Sequence, residues 1–129
     1  MSYETLDSGE REEFTTGMIR DSREGKGRYD LLPVRALRRD ALLYERGAQK
    51  YLDRNWEAGA PFCRFADSAL RHLCQWLEGD DVEDHLAAVR FNIGAIMELQ
   101  ERGRTDLDDR PAVGGLAISD FRDLVRGTL

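Results

Sequence analysis

Residues 82–101 read VEDHLAAVRFNIGAIMELQE. Leu86, Val89, Ile93, Ile96 and Met97 recur at three- and four-residue spacing, which is the period of one helix face. Glu83 and Asp84 fall in the expected first turn, where acidic side chains suit the helix dipole. Gly103 stands where such a helix ends. The stretch therefore predicts a helix over 82–101. A second line, His85, Ala88, Asn92 and Leu99, follows the apolar side, with Arg90 and Glu98 opposite. A His and an Asn on that side need hydrogen-bond partners or a ligand.

Working outward, Phe62, Phe65, Ala69, Leu73 and Trp76 form an apolar stripe that predicts a helix over 62–77, closed by EGDD with Gly79 as its stop. Upstream, Leu37, Ala41, Tyr44, Ala48 and Tyr51 or Leu52 predict a helix over 33–52, with Pro33 at the first helical position. DRNWEAGAP, residues 53–61, is a loop with Gly59 and Pro61 as breakers. Residues 1–32 have no sustained period and are read as a loop-rich arm with docking side chains. Residues 33–102 are the helical core. Residues 103–129 are an exposed linker followed by a short helix near Ser119–Arg126, capped by Ser119. No strand-like alternation is found. The expected class is all-α: three amphipathic helices whose thin core is completed by homo-oligomerisation.

The chain has 129 residues and a net charge of −6, consistent with one domain and unsuited to binding duplex nucleic acid or an anionic membrane surface. No run is long and apolar enough for a transmembrane helix. The opening residues lack the basic and apolar regions of a signal peptide, so a cytoplasmic setting with Cys63 and Cys74 reduced is expected. Charge is uneven: residues 1–30 carry 5 basic and 8 acidic side chains, residues 31–77 carry 8 and 5, and residues 78–129 carry 6 and 12. A local basic middle suits a small anion better than a duplex.

Several residues can carry chemistry. His72, at the edge of the second stripe, and His85 are the two histidines. Each is read either as part of a satisfied core network or as a ligand. Glu45, Asp67, Glu78, Asp80, Asp81, Glu83 and Asp84 are the nearby acids. Carboxylates converging between helices would hold Mg²⁺ or Mn²⁺ and bridge phosphates. Asp67 and Arg71 also stand at i,i+4, the spacing of a surface pair. Gly25-Lys26-Gly27-Arg28 offers two cations among flexible glycines, either a phosphate cradle or a plain linker, without Walker A spacing. In DRNW, Trp56 can stack on a base, Asn55 can read its edge and Arg54 can pair with phosphate. Equally, Trp56 can simply pin the loop. No Ser-His-Asp order and no CxxC is present.

The strings TGMIRD, GKGRYDLLP, ERGAQKY, DRNW, DSALRHL, EGDD and EDHLAAVRFN occur in that order. Together, from about Phe14 to Ile96, they resemble the phage-associated dATP/dGTP diphosphohydrolase domain family, within or near the MazG-like all-α nucleotide pyrophosphohydrolases. The resemblance implies hydrolysis of a purine deoxynucleoside triphosphate to monophosphate and pyrophosphate. It also implies a divalent cation (Mg²⁺ or Mn²⁺) and action on the nucleotide pool of a phage host's cytoplasm. MazG-like enzymes carry ExxE on one helix and ExxD on the next. Here Glu45 is followed by Gln49 and Glu83 has Leu86 at i+3, so a set drawn from Asp67, His72, Glu83, Asp84 and His85 is the alternative.

On this reading Glu45, Asp67 and Asp84 hold the metal, with Asp67, His72 and His85 as catalytic groups. Lys26, Arg28, Lys50, Arg54 and Arg71 neutralise phosphate. Tyr29 or Trp56 stacks on the base and Asp30 or Asn55 reads it, while His85 is either a metal ligand or, with Asn92, a group that orients the ligands from behind. Two other readings stay open: a metal phosphohydrolase of HD type, although the order here is Asp84-His85, and a nucleotide sponge without turnover.

Overall fold

The computed structural model describes residues 2–112. The expected helix at Ser119–Arg126 lies outside them. The class is all-α, with three α-helices and one small hairpin among the described residues. The chain divides into an N-terminal unit ending at Pro33 and a helical unit beginning at Val34.

The N-terminal unit holds two strands that the sequence reading missed. Strand β1 (Arg11–Glu13) pairs antiparallel with β2 (Ile19–Asp21), with Arg11 opposite Asp21 and Glu12 opposite Arg20. Three-residue strands written REE and IRD are too short and too charged to show apolar alternation. Charge and turn geometry hold them instead. Gly17 takes φ +88° in the turn, and its N–H donates to the Phe14 carbonyl at 2.8 Å. Asp21 accepts from Ser8 Oγ at 2.6 Å and Lys26 Nζ at 2.7 Å. Lys26 first, then Ser8, holds its carboxyl far below the usual range.

The helical unit consists of α1 (Val34–Tyr51), α2 (Phe62–Leu77) and α3 (His85–Glu101). Gly79, at φ +86°, closes α2, and Gly103, at φ +76°, follows α3. The third helix starts three residues later than its apolar period suggests. Asp80 Oδ1 accepts from the Val82 N–H at 2.9 Å, and Asp84 caps α3 by accepting from the Ala87 N–H at 3.1 Å. Both carboxylates therefore satisfy backbone donors and keep residues 80–84 in a turn.

α3 packs chiefly on α2 and also on α1. The buried side of α3 is His85, Ala87, Ala88, Asn92, Ala95 and Leu99, while Ile93 and Met97 of the expected apolar face are exposed. The buried side is mostly small side chains, with Leu99 the one large aliphatic on it. No residue of α1 is fully buried. It is tied to α3 by Arg39 Nε on Asp84 at 2.8 Å, by Arg90 on Asp40 at 2.9 Å, and by the Tyr44–Phe91 ring contact at 5.1 Å. Residues 103–110 are not a free linker. The Cys63 N–H, in the first turn of α2, donates to Asp109 Oδ1 at 2.9 Å, an anion placed against an open helix N-terminus.

Arg39 holds the Asp84 carboxyl down to about 2, helped by the Ala87 N–H. A depressed folded-state value adds stability above the ordinary carboxylate pKa and loses it as pH falls toward the folded value. Asp84→Asn keeps a capping oxygen but loses the charge. We expect it to cost about 1 kcal/mol near neutral pH, with the gap to wild type narrowing between about pH 4 and about pH 2. Urea unfolding at about pH 6 and about pH 3 checks this. An equal gap at both would show that the charge contributes nothing.

Candidate functional site

His72 lies in the last part of α2, and His85 is the first residue of α3. The Gly79 reversal and the late start of α3 bring the two rings together. Their Nδ1 atoms are 2.8 Å apart and the ring centroids 5.1 Å apart. His85 is 2 % exposed, and its Nε2 is buried without a hydrogen-bond partner among the described residues. Burial first, then His85 and Arg71, holds the His72 imidazole below its ordinary value, against the pull of Glu83. That favours the neutral ring, which has a lone pair to give. One donor atom from each of His72, Glu83 and His85 lies within 4.8 Å of the other two. Two nitrogens and one carboxylate oxygen suit a divalent metal. Without a metal, the Nδ1–Nδ1 contact is a hydrogen bond in which one ring donates and the other accepts.

His72 and Glu83 also line a cleft of about 510 Å³. Its walls bring together Arg46, Lys50 and Arg54, the carboxamides of Asn55 and Asn92, and the rings of Tyr44, Trp56 and Phe91. The aromatic groups form a continuous edge-to-face row, with Trp56 6.5 Å from Tyr44 and Tyr44 5.1 Å from Phe91. Arg102 lies over Trp56 at 5.3 Å. Asn92 donates to the Ala88 carbonyl at 2.8 Å and to Ser68 Oγ at 3.4 Å. Arg54 pairs with Glu57 at 3.0 Å, whereas Arg46 and Lys50 form no ion pair among the described residues. A second cleft, of about 720 Å³, shares Leu43, Arg46, Glu83 and Ala88 with the first, and His85 and Asp80 face it.

Of the residues singled out from sequence, Lys50, Arg54, Asn55, Trp56, His72 and Asn92 thus meet in one cleft, with His85 behind it. The carboxylate set Glu45, Asp67 and Asp84 does not gather. Glu45 is exposed on α1 and lines neither cleft. Asp67 is an exposed partner of Arg64 at 2.9 Å, not of Arg71. Asp84 is occupied as the cap of α3 and by Arg39. Arg71 reaches Ser68 Oγ at 3.3 Å and lines neither cleft. In the N-terminal unit, Lys26 is paired with Asp21, Arg28 Nε donates to Asp30 at 2.8 Å, and Tyr29 is 79 % exposed.

Sequence reading did not single out Arg46, Tyr44 and Phe91 for the cleft, and it named Glu83 among the nearby acids and in the alternative ligand set, not in the first one. Arg46 and Lys50 stand at i,i+4 on α1, which places two cations on one face. Glu83 is two residues before His85, across a helix start. That position can be recognised only once the helix boundary is known.

The geometry defines an all-α domain with a cationic, aromatic cleft beside a cluster able to hold a metal. A sequence model described as dATP/dGTP diphosphohydrolase, N-terminal, matches residues 16–110, and the chain belongs to that family. No curated protein and no solved structure matches it.

The cleft rim is strained. Leu52 and Arg54, neither of them glycine, take φ +88° and +61°. Left-handed backbone costs a non-glycine residue about 1 kcal/mol or more. Leu52 is 80 % exposed, so little burial offsets that cost. Leu52→Gly should raise stability by about 0.5–1 kcal/mol, measured by chemical unfolding. A loss instead would mean that the Leu52 side chain supports the loop.

Proposed function

We propose that the cleft binds a purine deoxynucleoside triphosphate and that the chain hydrolyses it to monophosphate and pyrophosphate. The observation that carries this reading is the convergence of Arg46 and Lys50, without ion-pair partners among the described residues, an aromatic row and the His72–Glu83–His85 cluster in one place. The family description supplies the substrate and reaction class. Arg46, Lys50 and Arg54 neutralise the phosphates, because developing negative charge needs fixed cations. The aromatic row takes the base, and Asn55 reads its edge with a carboxamide that can both donate and accept. His72, Glu83 and His85 hold a divalent cation. When bound there, the cation neutralises phosphate charge and acidifies a water. No helix among the described residues is long and apolar enough to cross a membrane. In this proposal the enzyme acts in a cytoplasm, where a phage-borne copy would reshape the host's purine pool.

The test is product analysis with dATP, dGTP, dCTP and dTTP, each with Mg²⁺ and with Mn²⁺. Monophosphate plus pyrophosphate from the purines is expected. Nucleoside plus triphosphate would overturn the reaction in favour of chemistry of HD type. A nucleotide bound but left intact would make the protein a sponge. Arg46→Ala combined with Lys50→Ala should raise KM at least about tenfold with an unchanged unfolding midpoint.

A second copy of the chain is the proposed partner for the exposed aliphatics Leu70 and Leu77 of α2 and Met97 of α3, which are 65 %, 71 % and 60 % exposed. Light scattering should give a mass at least twice that of the chain, lowered by Leu70→Glu with Leu77→Glu. A monomeric wild type would overturn this.

A further inference from the structure

We propose that the His72–Glu83–His85 cluster is a transition-metal site that selects Mn²⁺, Co²⁺ or Zn²⁺ over Mg²⁺, and that Asp80 is the carboxylate that orients His85 for it. The inference rests on the reading that the cation sits at this cluster. It goes further by naming the metal class and a positioning residue.

The donor set comes first. Mg²⁺ takes oxygen ligands and keeps its waters, whereas imidazole nitrogen suits the later divalent metals. Here two of the three protein donors are imidazoles. Two carboxylates expected to hold a cation are engaged elsewhere, Asp84 by Arg39 and Asp67 by Arg64.

The proton pattern points the same way. Nδ1 of His72 and Nδ1 of His85 face each other at 2.8 Å. Two N–H groups cannot face each other there, so at least one ring presents a lone pair. On His85 the other nitrogen decides which. Nε2 is buried without a hydrogen-bond partner among the described residues, and Asp80 Oδ2 stands 3.5 Å away, at the outer limit of hydrogen bonding. Only the tautomer with its hydrogen on Nε2 presents a donor to that carboxylate. It leaves the Nδ1 lone pair aimed at His72 and the cluster. A small shift of either group closes the Nε2–H to Asp80 contact. This is how metal-bound imidazoles are held: one nitrogen on the ion, the other N–H on a carboxylate.

Asp80 is itself fixed. Its N–H donates to the Gln75 carbonyl at 3.1 Å, and its Oδ1 accepts from the Val82 N–H at 2.9 Å, which leaves Oδ2 for His85. Asp80→Asn keeps an oxygen for Val82 and turns an N–H toward the His85 Nε2–H. It therefore opposes the metal-binding tautomer while preserving the turn.

The experiment is metal titration of the metal-stripped full chain without nucleotide. The readouts are calorimetry, the ligand-field spectrum of Co²⁺ and the unfolding midpoint. We expect one Mn²⁺ or Co²⁺ per chain, bound at least tenfold tighter than Mg²⁺, with a Co²⁺ spectrum showing nitrogen ligation. His72→Ala should abolish that spectrum. Asp80→Asn should weaken binding at least about tenfold with the metal-free unfolding midpoint unchanged. Equal or tighter Mg²⁺ binding, or a Co²⁺ spectrum unaffected by His72→Ala, overturns the metal site. Unchanged affinity in Asp80→Asn overturns the role of Asp80. The two proposals fail separately. Tight Mn²⁺ binding at the histidines with no nucleotide turnover leaves this site standing and removes the hydrolase reading. Turnover with Mg²⁺ that survives His72→Ala does the reverse.

Discussion

The structure depends on how closely α3 lies against α2. The contact face of α3 is built from Ala87, Ala88 and Ala95, with only Leu99 as a large buried aliphatic. Burying a leucine is worth about 2–3 kcal/mol and an alanine much less, so this core is small. What the alanines provide is proximity. The two imidazoles can meet at 2.8 Å only because no bulky side chain holds the helix ends apart. A larger residue at Ala88, which also lines both clefts, would separate the helices and fill the site at once. The same residues that make the core thin thus make the cluster possible.

A thin core shifts the task of holding α1 to charge and aromatic contacts. Arg39 on Asp84 and Arg90 on Asp40 join α1 to α3 through pairs that are partly exposed. Exposed pairs contribute little each, but both are bidentate, which fixes direction as well as distance. Tyr44 against Phe91 adds the apolar part. Held this way, α1 stands over α3 with a cleft between them. Arg46 and Lys50, about two and three turns beyond Arg39 and Asp40 on α1, then face that cleft without ion-pair partners among the described residues.

The helices were legible because their apolar spacing is strong. The bounds of α2 agree to the residue, and those of α1 differ by one at each end. Less local features were not legible. The hairpin is written in charged residues, and its stability comes from cross-strand and turn contacts around Asp21. The start of α3 moved because Asp80 and Asp84 cap backbone donors, which competes with helix extension. The buried face of α3 was misjudged by size. Ile93 and Met97 outrank alanine in hydrophobicity, yet close packing selected the alanine line. That line contains His85 and Asn92, whose placement on the apolar side was legible. In the cleft, DRNW and the two histidines were visible as chemistry-bearing residue types. The cations and rings of α1 and α3 were hidden among ordinary helix residues.

The ligand set shows the same logic most clearly. From sequence, every acid near the turn between α2 and α3 is a comparable candidate, because a carboxylate's structural duties are invisible until its partners are placed. The fold removes several of them. Asp84 caps α3 and binds Arg39, Asp80 holds the Val82 N–H, Asp40 binds Arg90, and Asp67 binds Arg64. Glu83 is one of those left without an ion pair among the described residues, and its carboxylate lies in one donor group with both imidazoles. An arginine-rich, acidic chain uses many of its carboxylates as partners for its own guanidinium groups. A metal site in such a chain must draw on donors that arginine does not compete for. Neutral imidazole is such a donor, and the two histidines stand side by side where α3 begins.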